Sequence, residues 1–149
     1  MTIRDLIRDY VLADATVASL IGTRIYPDQL PQKVTYPAAV ILSVDIVRPN
    51  PLRGVASLAS ARVQFDVYAS PGNGQSSRAR ADAAGTAIRN RLDGQAPTLS
   101  DTSVSPAVGV NAWVRFDLET ENAEPELDGG LSRHTADYFV QYQTRTGAY

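Results

Sequence analysis

Apolar side chains recur at helical spacing from the start of the chain: Ile3, Leu6, Ile7, Tyr10, Val11, Val17, Leu20 and Ile21 share one side, with Arg4, Asp5, Arg8 and Asp9 opposite. The pattern predicts an amphipathic helix lying on an apolar surface. Asp14 interrupts it at a position suited to capping a second short helical segment, and Gly22 stands where a helix commonly ends with positive φ. From Thr23 the chain is expected to run extended. Pro27, Pro31 and Pro37 then exclude a helix from the polar segment that follows.

Beyond Pro37 the period changes. Ala38 to Val44 is an apolar run rich in β-formers and reads as a mostly buried strand. Arg48 to Gly54, broken by Pro49 and Pro51, is expected to hold no regular structure. Leu58 to Ala69 alternates, with Ala61, Val63, Phe65 and Val67 on one face and Arg62, Gln64, Asp66 and Tyr68 on the other. The two strands predict a hairpin with a long tip, ended by Ser70-Pro71-Gly72-Asn73-Gly74. From Gln75 to Leu92 an Ala-rich helix follows, with Ala84, Ala87, Ile88 and Leu92 on its packed face and Arg78, Arg80, Arg89 and Arg91 among the solvated positions. Gly94 is its expected stop, and residues 95–107 read as loop.

Two further strands are predicted. In the first, Val110, Ala112, Val114, Phe116 and Leu118 alternate with Asn111, Trp113, Arg115, Asp117 and Glu119. In the second, Ala136, Tyr138, Val140 and Tyr142 alternate with Asp137, Phe139 and Gln141. Residues 124–130 between them form an acidic, turn-rich hairpin tip. The order predicts an α+β fold, a mainly antiparallel sheet of about four strands with helices packed on one face. The other face then carries Tyr68, Trp113 and Phe139 mixed with Arg62, Asp66, Arg115 and Asp117, the composition of an interface core. A strand register off by one, or a loop covering Trp113, makes the same positions ordinary interior. Leu52 and Arg53 in the long tip are a further candidate contact.

The chain has 149 residues, 44% of them hydrophobic, which fits one domain with a single core. No apolar run reaches the roughly eighteen residues of a membrane span, and no secretory signal pattern appears, so a cytoplasmic protein is expected. Cysteine is absent, which removes disulfides, thiolate catalysis and thiolate metal sites. The formal net charge of −2 argues against a nucleic-acid grip, which needs a basic excess. Lys33 is the only lysine beside thirteen arginines. GC-rich coding is the favoured account of that bias, and planar ion pairs at subunit contacts are a second reading that composition does not separate from it.

A search for chemistry finds each constellation incomplete. His134 is the only histidine, near Ser132, Arg133 and the Gly129-Gly130 turn, and is expected at a surface or rim. No Gly-x-Ser-x-Gly elbow is present. Gly72-Asn73-Gly74 lacks the Gly-Lys-Ser/Thr of a phosphate loop and reads as a turn. Asp117, Glu119, Glu121, Glu124, Glu126 and Asp128 cluster without a base, which suits hard-cation ligation, but their spacing matches no calcium loop and favours a solvated acidic hairpin. No catalytic, cofactor or metal residue is assigned, and no enzyme activity is expected.

Five fragments in chain order carry a family resemblance: residues Ile7 to Asp14, Gly22-Thr23-Arg24-Ile25-Tyr26-Pro27, Tyr36 to Val40, Ala61 to Tyr68, and Asp137-Tyr138-Phe139-Val140. Together they resemble the tail completion, or tail terminator, proteins of long-tailed bacteriophages and of phage-like gene transfer agents. The resemblance implies a ring of six copies that caps the growing tail tube, halts its polymerisation and docks to the filled head. It implies as partners further copies of the chain, the tail tube protein and a head–tail connector or neck protein, with DNA passing through unbound and no membrane involved. The expected location is the host cytoplasm during assembly, then the head-proximal end of the tail. Under this reading Glu119, Glu121, Glu124, Glu126 and Asp128 either line the lumen, where they repel phosphate, or meet the basic helix of a neighbouring subunit. A neck or connector component of the same particle is the alternative, and a small ligand-binding module or enzyme the competing class.

Overall fold

Residues 2–49, 58–123 and 130–143 are described in this computed structural model, 120–123 as backbone only. The chain order is α1 (Ile3–Leu12), α2 (Ala15–Ile21), β1 (Ile25–Pro27), β2 (Ala38–Val47), β3 (Leu58–Ala69), α3 (Ser77–Leu92), β4 (Thr98–Asp101), β5 (Val108–Ala123) and β6 (Ser132–Gln143). Local chemistry sets the helix ends. Thr2 caps α1 in a capping box with Asp5, whose backbone N–H donates to Thr2 Oγ1 at 3.3 Å while Thr2 N–H donates to Asp5 Oδ2 at 2.9 Å. Asp14 accepts from Val17 N–H at 3.0 Å to start α2, and Gly22 ends it at φ 66°, both as the sequence predicts.

The fold is α+β as expected, but the sheet has six strands, not about four, in the order β1-β2-β3-β6-β5-β4. β2, β3, β6, β5 and β4 are antiparallel neighbours, and β1 adds a parallel edge on β2, with Tyr26 opposite Val40. Both additions are too short to show a period. β1 is held by Ala39 N–H to Arg24 O and Asp28 N–H to Ile41 O, at 2.9 and 3.2 Å. β4 lies within residues 95–107, the stretch expected to be loop, and buries Leu99 and Asp101 while Thr98 and Ser100 stay exposed.

One face of the sheet packs against the helices. Ile3, Leu6, Ile7 and Val11 of α1 and Ala84, Ala87, Ile88 and Leu92 of α3 close over Val63, Phe65, Val114, Tyr138 and Val140 in a single apolar cluster. Phe65 and Phe116 set their edges against the Tyr138 ring, with centroids 5.9 Å away in each case. The Ala-rich face of α3 lies close to the sheet, and Gly85 is the point of nearest approach. A Cβ there would stand 2.6 Å from His134 Nε2 and 2.8 Å from its Cγ.

A β-bulge corrects the predicted alternation of β5. The pairing with β6 slips between Phe116 and Leu118, so Phe116 opposes Tyr138 and Leu118 opposes Asp137. One extra residue, Asp117, reverses the facing of everything after it. Leu118, expected in the core, is exposed on the outer face, whereas Glu119, expected outside, turns toward α3.

Candidate interaction surface

The outer face of the sheet gathers four of the residues singled out in the sequence. Arg115 of β5 lies opposite Phe139 of β6, and Phe139 opposite Arg62 of β3, forming one row across three strands. Both guanidinium groups stack on the Phe139 ring, at 4.7 Å for Arg62 and 5.2 Å for Arg115. Arg62 is also pinned by carboxylates, Asp117 at 3.2 Å and Asp137 at 3.8 Å. Arg115 is exposed and makes no ion pair among the described residues. Trp113, two residues along on the same face, is 45% exposed, and the bulge adds Leu118 on the other side of the row, opposite Asp137. The row is thus an aromatic–arginine patch in which, among the described residues, Arg115 has no carboxylate partner, with exposed apolar area beside it, the mixture that protein–protein contacts favour.

Other positions fall elsewhere. Tyr68 is half-buried beside Arg133 and Ala38, six residues along β3 from Arg62, or about 20 Å at strand rise, so it does not join the patch. Asp66 is buried, not surface, and accepts from Thr135 Oγ1 at 2.7 Å and Gln64 Nε2 at 2.9 Å. Leu52, Arg53, Glu124, Glu126 and Asp128 lie outside the described residues. Glu121 is placed by its backbone alone, opposite His134 in the β5–β6 register.

His134 corrects a further expectation. It is not at a rim: 2% exposed, it sits between α3 and β5, with Nδ1 at 3.3 Å from Asp82 and Nε2 at 3.0 Å from Glu119. Glu119 in turn accepts from Arg89 at 3.1 Å. The result is an internal polar clamp that ties the helix to two strands across the Gly85 contact. Both carboxylates are held by partners of their own chain.

Of the α3 arginines expected to be solvated, Arg78 is exposed, but Arg80, Arg89 and Arg91 are half-buried against the chain. Arg80 donates to the Ser70 and Tyr36 carbonyls at 2.6 and 3.2 Å, Arg91 donates to Tyr10 O at 3.1 Å while lying over the Tyr10 ring, and Arg89 stacks on Phe116. Arg8 and Arg24 similarly donate to the Ile25 and Pro37 carbonyls. In this use the planar fork fastens loops to elements inside the chain. Among the described residues no three His, Cys, Asp or Glu side chains come together as a metal site, and no helix is long and apolar enough to cross a membrane.

No curated protein matches the sequence. Among solved structures the chain is similar to one from the virion of a native gene transfer agent (GTA) particle, at 16% identity and a TM-score of 0.64, covering 95% of each chain. At that identity the likeness is one of fold. The model of the family described as tail completion protein gp17 matches residues 5–142, which runs from within α1 to within β6 and includes the outer patch. The chain belongs to the tail completion protein gp17 family.

Proposed function

We propose that this protein completes a phage-like tail: copies close into a ring, of six by the family resemblance, that sits on the end of the tail tube, stops its growth and offers its other face to the head. The observation that carries this reading is the family match over residues 5–142. A fold shared with a chain of a gene transfer agent virion is consistent with it. No covalent step is needed, because occupying a growing end is itself the activity, and closure of heterologous contacts leaves one ring face for the tube and one for the neck. Exposed Trp113, Arg115 and Leu118 around half-buried Phe139 supply a surface for such contact. The particle, not a membrane, is the proposed destination.

The test is complementation of a phage or transfer particle lacking the gene. Overlong, headless tails in the deletion, restored to normal length and joined to heads by the intact gene, are the expected result under electron microscopy. Tails of normal length in the deletion overturn the terminator role, and tails of normal length that fail to join heads point to the connector role instead.

A further inference from the structure

The rows of the outer face have ends that match one another. Opposite residues of antiparallel strands share a face, so the registers run rows straight across β2, β3, β6 and β5. The middle row goes from Asp45 through Arg62 and Phe139 to Arg115, and the rows on either side of it go from Val47 to Trp113 and from Leu42 to Leu118. The middle row therefore ends in opposite charges, about 14 Å apart at three strand spacings. Asp45 and Arg115 are both exposed, and neither makes an ion pair among the described residues. Arg62, although opposite Asp45, is drawn to Asp117 and Asp137 instead. Each flanking row ends in apolar side chains at both edges. Val47 and Trp113 are 58% and 45% exposed, and half-buried Leu42 answers exposed Leu118.

Such a face is complementary to itself under one operation. When a second copy lies on it, turned by half a turn about an axis parallel to the strands, β5 of each copy covers β2 of the other. Arg115 then meets Asp45 of the other copy, Trp113 meets its Val47, and Leu118 meets its Leu42. A two-fold axis laid across the strands along the middle row sets Arg115 on Arg115 and Asp45 on Asp45, and like charges oppose it. Packed sheets stand about 10 Å apart with strand directions within about 30° of each other, a gap that tryptophan and arginine side chains reach across.

We propose that the outer face of the sheet binds the same face of a second copy of this chain, related to it by a two-fold axis parallel to the strands. The contact is isologous and closes at two copies, so it stands or falls apart from the ring reading. It covers the patch offered above to the tail, which makes the pair a form of the free chain. Four strands by about six residues give roughly 400 Å² on each copy, the small end of specific contacts, and the pair is accordingly weak and reversible.

Trp113 is the only tryptophan, so its fluorescence reads the contact directly. As the full chain is concentrated from micromolar to millimolar, its emission is expected to shift to the blue while the sedimenting mass doubles. Arg115→Asp and Asp45→Arg, each with an unchanged circular dichroism spectrum, are expected to weaken pairing at least tenfold. Their equimolar mixture is expected to pair like the parent, because the mixed pair restores an acid opposite a base at both ends of the row. A parent that stays monomeric, single variants that pair like the parent, or a mixture that does not pair overturns the proposal. Emission that shifts only in rings assigns the face to the ring, and emission that shifts only on adding tail tubes assigns it to the tube. Either outcome overturns the pair and leaves the ring reading standing. A second test leaves the charges alone and uses the absence of cysteine. Val47→Cys and Trp113→Cys chains treated with a short bis-maleimide are expected to link to each other and not to themselves, and the reverse overturns the two-fold arrangement.

Discussion

At His134 and Gly85, packing decides what a single residue does. The imidazole fills the space that any β-carbon at Gly85 would need, so Gly85→Ala must push helix and strand apart. Overpacking of this kind costs about 1–3 kcal/mol, to be read from denaturant unfolding. An unchanged midpoint would falsify the close approach. His134→Ala removes the centre of the Asp82–His134–Glu119 clamp and is expected to lower stability rather than abolish a chemical step. Tyr138 behaves oppositely. Its hydroxyl is buried without a hydrogen-bond partner among the described residues, and burial, then the nearby Glu119 charge, pushes the phenol well above its ordinary value. Tyr138→Phe keeps the ring contacts and removes that unsatisfied group, so thermal melting should show equal or higher stability, and a clear loss overturns the assignment. At Asp137 burial raises the carboxyl above its ordinary value, against Arg62 and with Asp117 and Asp66. A raised folded value means the folded chain holds the proton more tightly. The resulting stability is present below the ordinary carboxylate value and is lost as pH rises through the folded one. Asp137→Asn is therefore expected to stabilise the chain at neutrality and to do little in acid, with Arg62 still held by Asp117.

At the scale of elements, the start of α1 and the middle of β5 show how a few atoms set a boundary. Burial acts to raise the Asp5 carboxyl, but its hydrogen bonds from Thr2 and the charges of Arg4 and the N-terminus outweigh this and leave it below its ordinary value. Its contribution is present above the unfolded value and lost as pH falls through the folded one. Thr2→Ala is expected to cost about 1 kcal/mol in unfolding experiments near neutrality, and less in acid once Asp5 is protonated. In β5 the single extra residue Asp117 decides which face Leu118 and Glu119 take. Asp117→Ala keeps the bulge and loses only the Arg62 pair, a partly exposed contact. Deletion of Asp117 removes the extra residue and leaves Leu118 outward opposite Asp137 and Glu119 inward, toward Arg89 and His134. The deletion should therefore keep the fold and melt close to the substitution, and a melting temperature far below that of Asp117→Ala refutes the account of the bulge.

For the whole molecule, the sheet has one face closed by helices and another that carries half-buried Arg62 and Phe139 beside exposed Arg115 and Trp113. Trp113 contributes little to the fold because nearly half of it remains exposed. Trp113→Ala should leave unfolding within about 0.5 kcal/mol of the parent, as for ordinary surface changes, while weakening assembly or attachment to tail tubes measured by sedimentation. Unfolding on that substitution places the residue in the core, and unchanged attachment removes it from the contact. The patch was legible because Trp113, Arg115, Phe139 and Arg62 stand on regular alternation. Tyr68 shares the face but not the neighbourhood, since position along a strand is invisible until the register is known.

Helix positions, their caps and the alternation of β3 and β6 were determined by the sequence itself, because local hydrogen bonds and the periods of 3.6 and 2 act over a few residues. The family, too, was readable from fragments in chain order. Tertiary structure alone decided the short edge strands β1 and β4, which exist only through hydrogen bonds to distant partners. It decided the bulge at Asp117, the burial of His134 between Asp82 and Glu119, and the use of the α3 arginines as internal fasteners. Each depends on which residues, tens of positions apart, the closed sheet brings within a few ångströms, and no local period encodes that.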